Sequence, residues 1–158
     1  MAILTSEARI RFQDCDPFGH LNNARFIDYF LNARADQVLE NFNIDIFGGS
    51  GFTWVVGSNQ IAYFKQAKLN EAVLIETQII AFTEKFLRVE MRMYDRAKKE
   101  LKALLWVDSI PFSLVTQRST PHSEELMKMF EVNLMPVEQL TFEERRSALY
   151  KINKASSA

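Results

Sequence analysis

The chain has one cysteine, Cys15, among 158 residues. No disulfide can close within it, and a reducing compartment is the expected setting. It has no excess of one charge: 19 basic side chains face 20 acidic ones, for a formal net charge of -1. Nucleic acid and anionic membrane surfaces call for a strongly basic footprint, so neither is an expected partner. Long apolar runs are missing too. The longest, Ala103 to Val107, falls far short of the ~20 residues of a membrane helix. The opening MAILTSEARIRF shows no apolar core with a small-residue cleavage site, so no signal peptide is expected. There is no repeat, no low-complexity tract and no flexible linker, and the 5 glycines and 4 prolines are scattered. What is present is the composition of a soluble globular protein, 47% hydrophobic and 25% charged. The length suits one folded unit that buries roughly 68–70% of its unfolded surface. The expected location is cytoplasmic.

Ile3 to Phe12 reads as a short strand, and Asp14 to Leu21 as a loop punctuated by Pro17 and Gly19. Asn22 or Asn23 can cap the helix that follows. From Ala24 to Phe42 the polar residues Arg25, Asp28, Asn32, Asp36 and Glu40 recur every three or four positions. They form one narrow stripe on an otherwise apolar helix, so most of that helix is expected to be buried. Gly48, Gly49, Ser50 and Gly51 mark a turn. Four strands are expected next: Trp54 to Phe64, Ala72 to Phe82, Phe86 to Tyr94 and Leu101 to Val115. In the third, Leu87, Val89, Met91 and Met93 alternate with Arg88, Glu90 and Arg92, the pattern of a strand with one dry and one wet face. Short connections make neighbouring strands antiparallel. Helices are expected again near 121–132, behind Thr120-Pro121, and near 141–152, behind a capping box of Thr141 and Glu144. The fold class is therefore α+β: an antiparallel sheet wrapped around one long central helix, with extra C-terminal helices. The wrap is expected over 1–118 and the helical extension over 119–158. Such a sheet leaves a face or an edge bare, and a homodimer is the natural cover.

The reactive groups gather in one stretch. Residues 14–23 read Asp-Cys-Asp-Pro-Phe-Gly-His-Leu-Asn-Asn, and the helix begins directly after. Free N–H groups and the positive dipole end of a helix start can hold an oxyanion. A carboxylate beside such donors stays ionised. It can attack a carbonyl or activate a water that does. This is an apparatus for hydrolysing an activated acyl group, such as a thioester. The same residues have other readings. Asp14 and Asp16 can be turn and cap residues. A metal site from Asp14, Asp16 and His20 has no further His or Cys cluster to complete it. Cys15 lies between two acids, which raise its pKa and deplete thiolate. His20 can orient the loop or move protons. The second histidine, His122, is expected at the surface.

The run Asp14-Cys15-Asp16-Pro17-x-Gly19-His20-x-Asn22-Asn23, continuing to Tyr29 and Ala33-Arg34, resembles the hotdog-fold acyl-CoA thioesterases of the 4-hydroxybenzoyl-CoA thioesterase type. The likeness extends over about residues 5–116. It implies the hotdog fold, in which a sheet wraps a long helix. It also implies hydrolysis of an acyl-CoA to free acid and CoA with no metal and no cofactor. By position it implies Asp16 as nucleophile or general base and the Asn23 backbone N–H as oxyanion donor. Gly19 lets the loop approach the substrate, and His20 and Asn22 shape the loop. The active site is implied at the subunit interface of a homodimer or homotetramer. Phe18, Phe26, Tyr29 and Phe30 near the motif, and Trp54 and Tyr63 on the following strand, are candidates to line an acyl pocket, core packing being their other reading.

Three departures bear on substrate. The acid that the family carries before its Ala-Arg pair is replaced by Leu31 and Asn32. An apolar group there leaves a phenol hydroxyl unpaired, so 4-hydroxybenzoyl-CoA is not the expected substrate. The family's basic turn for CoA phosphates is here Thr83-Glu84-Lys85, so Lys85 alone carries over; the nucleotide grip is either weak or supplied from elsewhere, such as Lys65, Lys68, Arg96, Lys98 or Lys99. The segment from about Thr120 to Ala158 exceeds what the fold requires. A non-catalytic acyl-CoA or acyl-carrier-protein binder on the same fold is the second reading. A hotdog dehydratase is a third, against which the Asp-x-Asp-x-x-Gly-His loop speaks.

Overall fold

The computed structural model describes residues 3–46 and 51–157. Strand β1 spans Ile3–Arg9 and helix α1 spans Phe26–Phe42. Strands β2 (Phe52–Tyr63), β3 (Ala72–Thr83), β4 (Phe86–Asp95) and β5 (Leu101–Ser113) follow, and a short β6 (Arg118–Ser119) pairs with the end of β5. Helices α2 (Glu124–Asn133) and α3 (Phe142–Ser157) complete the chain. The sheet runs β1-β3-β4-β5-β2 with antiparallel neighbours throughout. The architecture is thus the expected α+β wrap. The Gly48–Ser50 part of the expected turn lies outside the described residues.

The Asn22 side chain accepts the Ala24 N–H at 2.9 Å, which makes it the cap. One tight turn, Asn23–Arg25, leads into α1. The helix stops at Asn43, which takes a left-handed φ of 55° and returns its N–H to the Leu39 carbonyl. Phe26, Phe30 and Ala33 of α1 share one core with Ile75, Ile79, Val89, Met91 and Val107 of the sheet. The helix is less buried than its composition implies. Leu31 and Leu39 are 38% and 49% exposed, because α1 packs chiefly on β1 and leaves a gap toward β2.

The wet face expected on β4 is dry at two of its three charges. Glu90 is fully buried and Arg92 nearly so, because α3 lies across the outer face of the sheet. Phe142 and Leu149 of α3 pack with Ile80, Leu104 and Trp106. Arg145 holds Glu90 through two hydrogen bonds of 2.8 and 2.7 Å. Helix α2 lies on the other face, where Phe130 joins the α1 core. Ser123, not Thr120, caps α2 by accepting the Leu126 N–H. Between the two helices Leu134 bridges Ile79, and the Met135 N–H donates to the Ile79 carbonyl at 2.9 Å. Pairing with β1 ends at Gln78, so this strap occupies the edge of β3 that β1 leaves open. The C-terminal segment clamps both faces of the sheet.

His122 is the pin of that clamp. It is buried, contrary to the surface position expected from sequence. Its N–H donates to the Glu84 carbonyl at 2.6 Å, and Trp54 Nε1 donates to its Nε2 at 3.0 Å. An indole N–H only donates, so Nε2 accepts and the Nδ1–H donates to the Thr83 carbonyl 2.9 Å away. The imidazole is therefore neutral, and burial lowers its pKa. A lowered folded pKa stabilises fully above the ordinary imidazole value near 6.5, and that contribution is lost as pH falls toward the folded value. The Tm of the wild type is expected to drop a few degrees more between pH 7.5 and 5.5 than that of His122→Gln. Parallel melting curves would refute this for His122.

Candidate active site

Residues 14–23 form a tight loop sewn to residues 67–69. The Asp16 N–H donates to the His20 carbonyl at 2.8 Å, and the Gly19 N–H returns to the Asp16 carbonyl at 3.0 Å. Leu21 donates to Ala67, and Leu69 donates to Gly19. Gly19 sits at φ +77°, where a side chain would strain the backbone although no atom crowds it. One oxygen of Asp16, Oδ1, accepts the Phe18 and His20 N–H groups at 2.9 and 3.2 Å. Its Oδ2 accepts no hydrogen bond from the described residues. The Asn23 N–H, at the start of the helix, likewise finds no acceptor among them. Asp16, Gly19, His20, Asn22 and Asn23 are thus brought together.

The other sequence candidates are placed differently. Tyr63 braces the loop by donating its hydroxyl to the Asn23 carbonyl at 2.9 Å. Phe26 is a core residue whose ring meets Tyr63 edge-on at 5.2 Å. Tyr29 donates its hydroxyl to Asp14 Oδ2 at 2.6 Å and accepts the Arg11 N–H at 2.9 Å. Burial and the Asp14 carboxylate push the Tyr29 pKa up to about 12, so it stays protonated and Asp14 stays engaged. Cys15 has its pKa raised by burial and by Asp16 and Asp14, which opposes a thiolate role. Lys85 sits at the far end of β3 from the loop. The 12 residues of that strand, at about 3.3 Å each, span about 40 Å. Lys85 therefore does not join the motif of its own protomer. Among the described residues no three His, Cys, Asp or Glu side chains gather as metal ligands.

A cavity of about 1130 Å³ runs between α1, the sheet and α2. Asp14 and Tyr29 stand in its wall; Asp16 and Asn23 do not. Its deep side is apolar, with Ile79, Val89, Met91 and Val107 of the sheet facing Met129 and Phe130 of α2. Arg34 also lines it and donates to Thr77 Oγ1 at 2.9 Å. Burial pulls the Arg34 pKa down to about 10. Sequence reasoning missed the α2 wall. The paired apolar positions Leu126-Met127 and Met129-Phe130 signal a buried helix face, but not the cavity that this face meets.

The family model described as the thioesterase-like superfamily matches residues 10–130. Three solved structures are similar in fold. A 1,4-dihydroxy-2-naphthoyl-CoA thioesterase from Synechocystis is 14% identical, with a TM-score of 0.71 over 81% of this chain and 95% of its own. The PA5185 protein from Pseudomonas aeruginosa is 18% identical, with a TM-score of 0.75 over 85% and 93%. A Staphylococcus aureus protein solved in complex with CoA is 14% identical, with a TM-score of 0.70 over 87% and 89%. No curated protein matches the chain. With its hotdog fold and its matched span, the chain belongs to the thioesterase-like superfamily.

Proposed function

We propose that this protein hydrolyses an acyl-CoA thioester to the free acid and CoA. One observation carries the reading. In a loop whose other backbone N–H groups all find acceptors, Asp16 Oδ2 and the Asn23 N–H are both left without partners among the described residues. One is an acceptor with nucleophilic oxygen and the other a donor at a helix start. In the reaction the thioester oxygen takes a hydrogen bond from the Asn23 N–H. Asp16 either attacks the carbonyl carbon or removes a proton from an attacking water. The C–S bond then breaks and CoA leaves as the thiolate, which takes up a proton. If Asp16 has attacked, water hydrolyses the resulting anhydride. Gly19 and the His20 backbone hold the loop in shape, and Asn22 fixes the helix start.

The protein works as a dimer in this reading. Among the described residues strand β2 pairs only with β5, and positions 55–60 are exposed. That is a long bare edge, with Val55 and Val56 each 45% exposed. Tyr63 at one end of β2 touches the motif loop, and Trp54 at the other end touches His122. Antiparallel pairing of two such edges about a two-fold axis sets the motif of one protomer beside the α2 end of the other. It also carries Lys85 toward the site that its own chain cannot reach.

The test is thiol release from purified protein across aliphatic, benzoyl, phenylacetyl and hydroxynaphthoyl CoA thioesters, with sedimentation to read the oligomer. Turnover of one class by a dimer or tetramer is expected. Tight binding without turnover across the panel would replace the hydrolase with the acyl-CoA binder.

A further inference from the structure

Helix α2 walls the same cavity as α1. The wall opposite is a row in register: Ile79 pairs with Val89 across β3 and β4, and Val89 with Val107 across β4 and β5. All three side chains are buried. Two of the polar groups at this end are already engaged. Asn133 donates its amide N–H to the Met129 carbonyl at 2.9 Å, and Trp54 donates its indole N–H to His122. A phenol hydroxyl set against either of these two groups would compete with bonds already made. Two of the lining side chains, Met91 and Met129, are unbranched thioethers, which adapt to a flexible apolar chain. The volume, about 1130 Å³, lies just above the roughly 300–1,000 Å³ of ordinary ligand pockets.

The position of α2 is fixed independently of any ligand. Phe130 packs on Phe82 at 5.4 Å and on His122 at 4.9 Å. Ser123 caps the helix directly after His122. Met129 differs from Phe130 in being only partly buried, so it borders open space rather than a packed core.

We propose that α2 forms the inner end of the acyl pocket and that Met129 sets the length of chain admitted. The acyl group is accordingly a flexible aliphatic chain. This rests on the hydrolase reading for its kinetic assay but not for its binding assay.

The experiment compares the wild-type chain with Met129→Phe, Met129→Ala and, as a control on the exposed side of α2, Val132→Ala. Hydrolysis of butyryl- to palmitoyl-CoA and of benzoyl-CoA is measured. Binding of the matching fatty acids and of benzoate is read by tryptophan fluorescence, Trp54 being in the cavity wall. A misfit of one methylene in an apolar pocket costs roughly 10–200-fold. Met129→Phe is therefore expected to weaken the longest chain by about tenfold or more while short chains change by about twofold at most. Met129→Ala is expected to favour longer chains, and Val132→Ala to match the wild type. Length-dependent binding that moves with Met129, without thiol release, would uphold the pocket and remove the hydrolase reading. The same chain-length profile in all variants would overturn the pocket. So would benzoyl preferred over every aliphatic chain, or no chain bound or hydrolysed.

Discussion

Asp16→Asn is expected to lower kcat for thioester hydrolysis by roughly 10²–10⁴-fold, the range of a lost general base, with the fold intact. The substitution is chosen for its geometry. Asp16 Oδ1 anchors the loop by accepting the Phe18 and His20 N–H groups, and an asparagine carbonyl can accept both. What asparagine lacks is the second anionic oxygen, the one that no described residue engages. Asp16→Ala removes the anchor as well, so it is expected to lower activity and also to loosen the loop. The residual rate in Asp16→Asn then measures what the helix start at Asn23 contributes alone. Steady-state thiol release, with circular dichroism to verify the fold, decides the matter. An unchanged kcat in Asp16→Asn would remove Asp16 from the chemistry. Attention would then pass to Asp14, which stands in the cavity wall but is tied to Tyr29.

Local features were legible in the sequence because their physics is local. The cap at Asn22, the turn at Pro17 and Gly19 and the antiparallel order of β3, β4 and β5 depend on residues close in the chain. So does the cap of α3, where Thr141 accepts the Glu144 N–H at 3.2 Å. The errors share a different cause. Alternation on β4 reports that Glu90 and Arg92 share a face, not that a helix more than 50 residues later covers it. His122 follows a proline, which says turn, but its burial is set by Trp54 and by the carbonyls of Thr83 and Glu84. Lys85 is a different case: the likeness that names it also implies a site shared by two subunits, and the length of β3 keeps it far from the loop of its own protomer. The loop of the site was readable as a sequence. The pocket was not, because α1, the sheet and α2 meet only in the folded chain.

Glu90→Ala is expected to be the most destabilising single change, at about 3–5 kcal/mol, the cost of breaking a buried ion pair from one side. At about 2–4 °C per kcal/mol for a chain of this size, its Tm falls by about 6–20 °C. Glu90 is fully buried and accepts from Trp106 Nε1 at 2.8 Å, from Arg92 and twice from Arg145. Burial raises its pKa, but the Arg145 hydrogen bonds and the Arg92 and Arg145 charges outweigh that and hold the carboxyl below its ordinary value. A carboxyl with a lowered folded pKa stabilises fully above its unfolded value near 4.3, and that contribution is lost as pH falls through the folded value. The wild type is therefore expected to lose this part of its stability only in strong acid, and Glu90→Ala to lack it throughout. Among the described residues, removing Glu90 leaves Arg145 without its carboxylate and Arg92 with only Glu76 as an ion-pair partner. Arg145→Ala is expected to cost less, since Glu90 keeps Arg92 and Trp106. The double variant Glu90→Leu with Arg145→Met is expected to regain part of the loss, because an apolar pair removes the stranded Arg145 charge along with its bond, while Arg92 and the Trp106 N–H still lack Glu90. Thermal melts of the three variants check the ordering, and hydrogen exchange in α3 shows whether the helix detaches before the sheet. Equal Tm values for wild type and Glu90→Ala would mean that Phe142 and Leu149, not the charges, hold α3 on the sheet.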